Sequence, residues 1–249
     1  MAANKVIILT GASRGIGLAI AHYLLKQSCR VVTVARSREP MDKLSKQYPG
    51  QVEVLAGDLS DLSLGQKAAD LAKSKWQRLD SIIVNHGILD PVKRVANVEA
   101  EEWRQLFDVN VFSAVKASLP ALRESKGSII LCSSGAATGN YATWGAYGAS
   151  KAVLNHLAQT LAVEEPEVTT LSIRPGTVNT QMQDSIREVY HTKMDVKDTA
   201  KFKELKETGS LLEPEQPGHV MAKLALDPPK NLNGMFLSWN DGALAAFQE

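Results

Sequence analysis

Tyr147 and Lys151 stand four residues apart in the run Trp144-Gly-Ala-Tyr-Gly-Ala-Ser-Lys151, and Ser134 lies thirteen residues before Tyr147. On a helix, Tyr147 and Lys151 share a face, one turn apart. A phenol, an ammonium and a hydroxyl so arranged can pass a proton to or from a carbonyl oxygen. A free phenol titrates near pH ~10 and is a poor base at neutral pH, but a nearby positive charge favours the phenolate. Ser134 would hydrogen-bond the substrate oxygen and hold it for attack. Short motifs of this kind also arise by chance. The weight comes from a second constellation at the start of the chain.

That constellation is Thr10-Gly-Ala-Ser-Arg-Gly-Ile-Gly17, which follows an apolar, strand-like run. Gly11, Gly15 and Gly17 in a strand-to-helix turn permit tight backbone geometry and bring main-chain N–H groups up to a pyrophosphate. The helix opening at Gly15, with Ser13, Arg14 and Ile16 around it, adds its positive dipole end. The spacing is Gly-x-x-x-Gly-x-Gly, not the commoner Gly-x-Gly-x-x-Gly. About twenty positions further on, an acidic residue would hold the 2′-hydroxyl of NAD. Here the second strand ends in Ala35-Arg36-Ser37-Arg38. Arg36 and Ser37 suit a 2′-phosphate, because a guanidinium presents its donors as a planar fork. The charge logic points to NADP(H) ahead of NAD(H). Asp58, read as ending the third strand before Leu59, is placed to accept from the adenine amino group.

The elements that must position these groups alternate along the chain. Apolar runs at Val6–Leu9, Val31–Ala35, Val52–Ala56, Ser81–Val84, Ser128–Cys132, Val168–Ile173 and Gly234–Ser238 read as buried strands. Amphipathic stretches at Ile16–Lys26, Met41–Gln47, Leu62–Trp76, Glu101–Glu124, Ala146–Glu164 and Glu215–Leu226 read as helices. Pro166 closes the helix that carries Lys151. Helices between buried strands require crossovers, hence an α/β fold with a doubly wound parallel sheet of about seven strands covered on both faces. No repeat or linker interrupts residues 1–249, which read as one domain. From Gln181 to Glu215 the long apolar runs stop and charges accumulate. This segment leaves the carboxyl end of a strand, where doubly wound sheets bind ligands, and reads as a substrate flap.

These motifs resemble the short-chain dehydrogenase/reductase family from Lys5 nearly to the C-terminus. The resemblance rests on Thr10–Gly17, Asp58-Leu59, Asn85-His86-Gly87, Asn110, Ser134, Tyr147 with Lys151, and Pro175-Gly-Thr-Val-Asn-Thr180. It implies a Rossmann-type sheet and a catalytic group of Asn110, Ser134, Tyr147 and Lys151. Ser133 is the twin of Ser134, and the interval to Tyr147 selects Ser134, as the family pattern does. Asn110, a poor helix former in the middle of the Glu101–Glu124 helix, would hold a water linking Lys151 to bulk solvent. Asn85, Gly87, Pro175, Val178 and Thr180 would meet the cofactor, the last two at the nicotinamide carboxamide. His86 departs from the family, which often has a small residue there, and reads as a structural histidine. Two long helices, Glu101–Glu124 and Ala146–Glu164, often form subunit contacts in this family, so a homodimer or homotetramer is expected.

The whole chain is similar to the fungal benzil reductases and sepiapterin reductases. The carrying features are Ser13–Gly17, Ala35-Arg36-Ser37, the Trp144–Lys151 run and the tail Leu237-Ser-Trp-Asn-Asp241. This implies NADPH-dependent reduction of an aromatic α-diketone, such as benzil, to a hydroxyketone. Trp144 and Met182, with Ile186, suggest an apolar pocket wall. A rival is reduction of 3-oxoacyl thioesters on a carrier protein, with Lys193, Lys197, Lys201, Lys203 and Lys206 as the basic mouth. A rival of another class is a non-catalytic NADP(H) sensor, which would need a damaged catalytic group. Here that group is intact.

Bulk properties argue against nucleic acid and membrane partners, and leave the small-molecule carbonyl substrate that the motifs and the resemblance imply. Lys plus Arg total 28 against 27 Asp plus Glu, so no net field favours nucleic acid or an anionic membrane. Cys29 and Cys132 form neither a metal set nor a disulfide framework, and His22, His156, His191 and His219 lack ligand spacing. No apolar stretch approaches a membrane span, Met1–Lys5 leaves no room for a signal peptide, and a cytoplasmic protein is expected.

Overall fold

The computed structural model describes residues 4–112 and 115–248. The expected Glu101–Glu124 helix crosses residues 113 and 114, which lie outside the described residues. So do residues 1–3, on which the reading of the N-terminus rests in part.

Seven strands form one sheet: β1 (Val6–Thr10), β2 (Arg30–Ala35), β3 (Val52–Ala56), β4 (Ser81–Val84), β5 (Ser128–Cys132), β6 (Thr169–Arg174) and β7 (Phe236–Ser238). Their order is β3-β2-β1-β4-β5-β6-β7, and every pair is parallel. The strands read from Val- and Ile-rich runs are thus found within a residue or two of their expected ends. The direction of winding reverses between β1 and β4, which opens a crevice at the carboxyl ends of the strands.

The helices are α1 (Gly15–Lys26), α2 (Arg38–Gln47), α3 (Ser63–Trp76), α4 (Ala100–Phe107), α5 (Val115–Ser125), α6 (Gly145–Glu164), α7 (Gln181–Ser185), α8 (Val196–Glu207), α9 (Glu215–Leu226) and α10 (Ala245–Gln248). Alternation along β1 sends side chains to both faces. Ile7 and Leu9 pack with Ile20 and Leu24 of α1 and Val220, Met221 and Leu224 of α9. Val6 and Ile8 pack with Leu64 and Ala68 of α3, Leu122 of α5, and Leu154 and Leu161 of α6. Burial on both faces is what continuous apolar strands require, and it makes the sheet a rigid floor for the crevice.

One expectation needs correction. The amphipathic run Glu101–Glu124 is not a single helix: α4 ends at Phe107 and a π-helical turn spans Asp108–Phe112 before α5. Such a turn costs regular hydrogen bonding and is found where a side chain must be re-aimed. Here Asn110 turns inward and is buried, its amide bonded to Ile88 and Ser150. The run from Gln181 to Glu215, read as a flap with a charged outer face and with Met182 and Ile186 at its opening, contains α7, a second π-helical turn (Ile186–Tyr190) and α8. Its charges conceal an inner face in which Ile186, Met194 and Phe202 are buried.

Candidate active site

The residues at or just beyond the ends of six strands meet in one cleft of about 870 Å³: Gly11, Ala35, Gly57, Asn85, Cys132 and Arg174 all line it. Most of the residues selected from sequence line it too. Ser13, Arg14, Gly15, Ile16, Arg36, Ser37, Asp58, Leu59, Gly87, Ser134, Tyr147, Lys151, Pro175, Val178, Thr180, Trp144 and Met182 are all in its wall. Gly17 and Asn110 are not, and act from beneath it.

The cleft fits a dinucleotide at the glycine turn. Gly11 has φ +68° and Gly15 φ +51°, the left-handed region that favours glycine. A Cβ on Gly17 would lie 2.1 Å from the Gly11 carbonyl oxygen and 2.6 Å from Asn85 Nδ2, so only glycine lets α1 start this close to β1. Asn85 fastens the turn by donating from Nδ2 to the carbonyls of Thr10 and Gly11, each at 3.3 Å. The first turn of α1 holds no acidic residue and no side-chain cap, leaving its N–H groups to the cleft. Ser37 is the N-cap position of α2, and Arg36 is exposed beside it. Asp58 lies two residues beyond β3 rather than at its end. It accepts from the Ser60 N–H at 2.9 Å, and this bond, helped by the Arg36 charge, holds its carboxyl below the usual range.

At the other end the groups are buried. Tyr147 and Lys151 lie on α6 as the spacing requires, 6% and 4% exposed. Lys151 Nζ donates to the Cys132 carbonyl at 2.8 Å and sits 5.9 Å from the Tyr147 ring centroid. Ser134 caps a short turn after β5, its hydroxyl accepting from Ala136 N–H at 3.1 Å. Asn110 Oδ1 accepts from Ile88 N–H at 2.9 Å, while Nδ2 donates to the Ile88 carbonyl at 3.0 Å and to Ser150 Oγ at 3.1 Å. Gly87 keeps the space between Lys151 and Asn110 open, since a Cβ there would lie 3.2 Å from Lys151 Nζ and 3.5 Å from Asn110 Oδ1.

The electrostatic balance differs from expectation. Burial pushes the Tyr147 phenol up to about 12, with a hydrogen bond to Ser134 pulling the other way. Burial also lowers Lys151. For Tyr147 burial therefore outweighs the Ser134 hydrogen bond, and the phenol is protonated at neutral pH.

His86 is held as a structural residue, and sequence reasoning did not foresee how. Its Nε2 meets the Val109 carbonyl at 2.6 Å, a contact that only an N–H satisfies, leaving Nδ1 to accept from the Thr10 hydroxyl at 2.7 Å. The ring thus ties β1 to the π-helical turn that aims Asn110. Burial pushes its pKa down to about 4, so it remains neutral.

The substrate end carries residues that sequence reasoning missed. Trp144 is the N-cap residue of α6 and also stacks on Phe202 of α8, with ring centroids 5.5 Å apart. Tyr141 lies against both rings, and Trp144 meets Tyr147 edge-on at 5.9 Å. Lys201 Nζ donates to the Tyr141 hydroxyl at 3.0 Å. The Tyr190 hydroxyl donates to Asp90 across the cleft, and Arg94 pairs with Asp195 at 2.7 Å. A lone Phe three residues before Leu205, in a run of lysines, was the available signal for an inward face on α8.

A family model for short chain dehydrogenase matches residues 5–191. A benzil reductase ((S)-benzoin forming) of Saccharomyces cerevisiae is 40% identical, over 98% of this chain and 99% of its own length. A benzil reductase ((S)-benzoin forming) of Bacillus cereus is 33% identical, over 88% and 93%. The crystal structure of a short chain dehydrogenase/reductase from Saccharomyces cerevisiae superposes with a TM-score of 0.96 at 39% identity, covering 99% of this chain and all of that one.

Proposed function

The chain belongs to the short-chain dehydrogenase family, oxidoreductases that act on alcohol and carbonyl groups with a nicotinamide cofactor, and we propose that this member is an NADPH-dependent carbonyl reductase. In this reading it accepts aromatic ketones with a second carbonyl group on the adjacent carbon, such as the α-diketone benzil, which it reduces to the hydroxyketone. The observation that carries the reading is the convergence of Tyr147, Ser134 and Lys151 on one end of a cleft whose other end is the glycine turn with Arg36.

When bound, the reduced nicotinamide supplies a hydride to the carbonyl carbon. The chain's residues do the rest. Gly11, Ser13, Gly15 and Ile16 offer the backbone that would receive the pyrophosphate, with Arg14 beside it and Gly17 letting α1 close on the turn. Arg36 and Ser37 would grip the 2′-phosphate, and Asp58 and Leu59 flank the adenine side. Asn85, Gly87, Pro175, Val178 and Thr180 would line the remainder. Ser134 donates a hydrogen bond to the substrate oxygen and fixes it beside Tyr147. Tyr147 gives its proton to that oxygen, and Lys151 stabilises the phenolate left behind and returns a proton to it, through the route that Asn110 and Gly87 keep open. The aromatic surface of Tyr141, Trp144 and Phe202 supports an aryl substituent.

The segment from residue 181 to 215 acts, in this reading, as a flap within a single catalytic domain. Its supports are the Phe202–Trp144 stack and the Tyr190–Asp90 and Arg94–Asp195 contacts. Assembly as a homodimer or homotetramer is supported by exposed Phe112 beyond α4 and exposed Val153 and Val163 on α6. Buried Cys29 and Cys132 fit a reducing cytoplasm.

The test is NADPH oxidation with benzil, with the product identified. Formation of benzoin with NADPH preferred over NADH is the expected result. Preference for a carrier-bound 3-oxoacyl thioester would overturn the substrate, and absence of turnover on any carbonyl compound would overturn the reductase.

A further inference from the structure

β6 ends at Arg174, whose carbonyl accepts from the Trp239 N–H at 2.9 Å and which pairs in register with Ser238 of β7. The side chain enters the cleft, which it lines together with Ser134, Gly135 and Tyr147. Gly135 follows Ser134 directly and has no side chain, and the guanidinium takes that space. A Cβ on Gly135 would lie 3.0 Å from Arg174 Nε, 3.2 Å from Cζ and 3.3 Å from Nη2. The exposed guanidinium therefore lies over Gly135, the residue that follows Ser134.

No carboxylate among the described residues forms an ion pair with Arg174. Of the acids that line the cleft, Asp58 accepts from Ser60, Asp90 accepts from the Tyr190 hydroxyl, and Asp108 opens the π-helical turn. Arg174 is exposed, and a cation without an ion pair that lines a partly apolar cleft favours an anion there.

We propose that Arg174 is a specificity-determining residue that selects ketones carrying a carboxylate beside the reacting carbonyl. The planar fork fits a carboxylate with two parallel hydrogen bonds, whereas the second oxygen of an α-diketone is a neutral acceptor for the same group. The preferred substrate class is then the aryl 2-oxo carboxylates, with the ring on the Trp144–Phe202 surface. This rests on the carbonyl-reductase reading above.

The experiment compares phenylglyoxylate with its neutral isostere 1-phenyl-1,2-propanedione, using NADPH and the whole enzyme. Wild type is expected to favour phenylglyoxylate in kcat/KM, and added salt lowers that preference. Arg174→Met lowers the preference by about tenfold or more, chiefly through KM for the carboxylate, as loss of a charged hydrogen bond would. Arg174→Lys recovers part of it. A wild type that reduces the dione and prefers it, or a preference that Arg174→Met leaves in place, overturns the role of Arg174 while the reductase reading stands. A wild type that reduces benzil but neither of these compounds also overturns the role of Arg174, and one that reduces no carbonyl compound overturns both.

Discussion

At the nucleotide end of the cleft the polar side chains are exposed: Arg36 and Ser37 face water, and Asp58 is held by one hydrogen bond from its own loop. At the chemical end Tyr147, Lys151 and Asn110 are all buried, and each is tied to backbone or aromatic neighbours from other elements. The first end works by backbone shape and by charge in water, where interactions are modest and screened. The second works by placing ionisable groups where desolvation controls which protonation state exists. In the proposed function, one end selects what binds and the other sets what a bound carbonyl meets. Substitutions at the two ends should therefore fail in different ways.

The largest difference is expected from Tyr147→Phe, which removes the proton donor and keeps the ring. Turnover should fall by about 10²–10⁴, the range of general acid catalysis, while NADPH still binds by fluorescence titration. Retained turnover would remove the assignment of Tyr147.

His86, between the two ends, should sharpen the comparison through pH. Folded, it takes up its proton only near pH 4; unfolded, it does so near about 6.5. The unfolded chain binds more protons in that window, so stability is full above it and falls as pH drops through it, by about 3 kcal/mol. Denaturant unfolding from pH 7 to 4 should show this slope, and His86→Gln should flatten it.

A smaller effect is expected at the exposed end. Arg36→Asp should move cofactor preference toward NADH by about 1–3 kcal/mol, the scale of a charged hydrogen bond, with kcat on the favoured cofactor little changed. Unmoved NADPH selectivity would show that the 2′-phosphate is recognised elsewhere.

The smallest expected effect is the absence of one. With the phenol pushed up to about 12, kcat/KM for ketone reduction should show no alkaline limb from Tyr147 between about pH 6 and 9. A limb beginning at about pH 8 would show that the Lys151 charge outweighs burial in the enzyme before the ketone binds.

How much of this was legible beforehand depended on the range over which each feature is decided. Val- and Ile-rich runs report local burial, so the strands and the α/β class could be read almost residue by residue. Gly11, Gly15 and Gly17 report a local turn, and the Tyr147–Lys151 interval reports a helical face. The π-helical turn at Asp108–Phe112 was not legible, because it exists to meet the backbone of Ile88 and the hydroxyl of Ser150, which come from elsewhere in the chain. Phe202 was hidden for a similar reason: α8 is almost wholly charged, and only the partner ring of Trp144 gives its one inward aromatic a purpose. His86 could be read as structural, but not as the tie between β1 and that turn.

Sequence alone determined the order of elements, the glycine turn and the residue types available for proton transfer, because spacing along a strand or helix dictates which side chains share a face. The tertiary structure decided which of those groups are desolvated, and that burial carries the Tyr147 phenol above its ordinary range. Those properties depend on what lies within a few ångströms in space, and the neighbours responsible come from segments far apart in the chain.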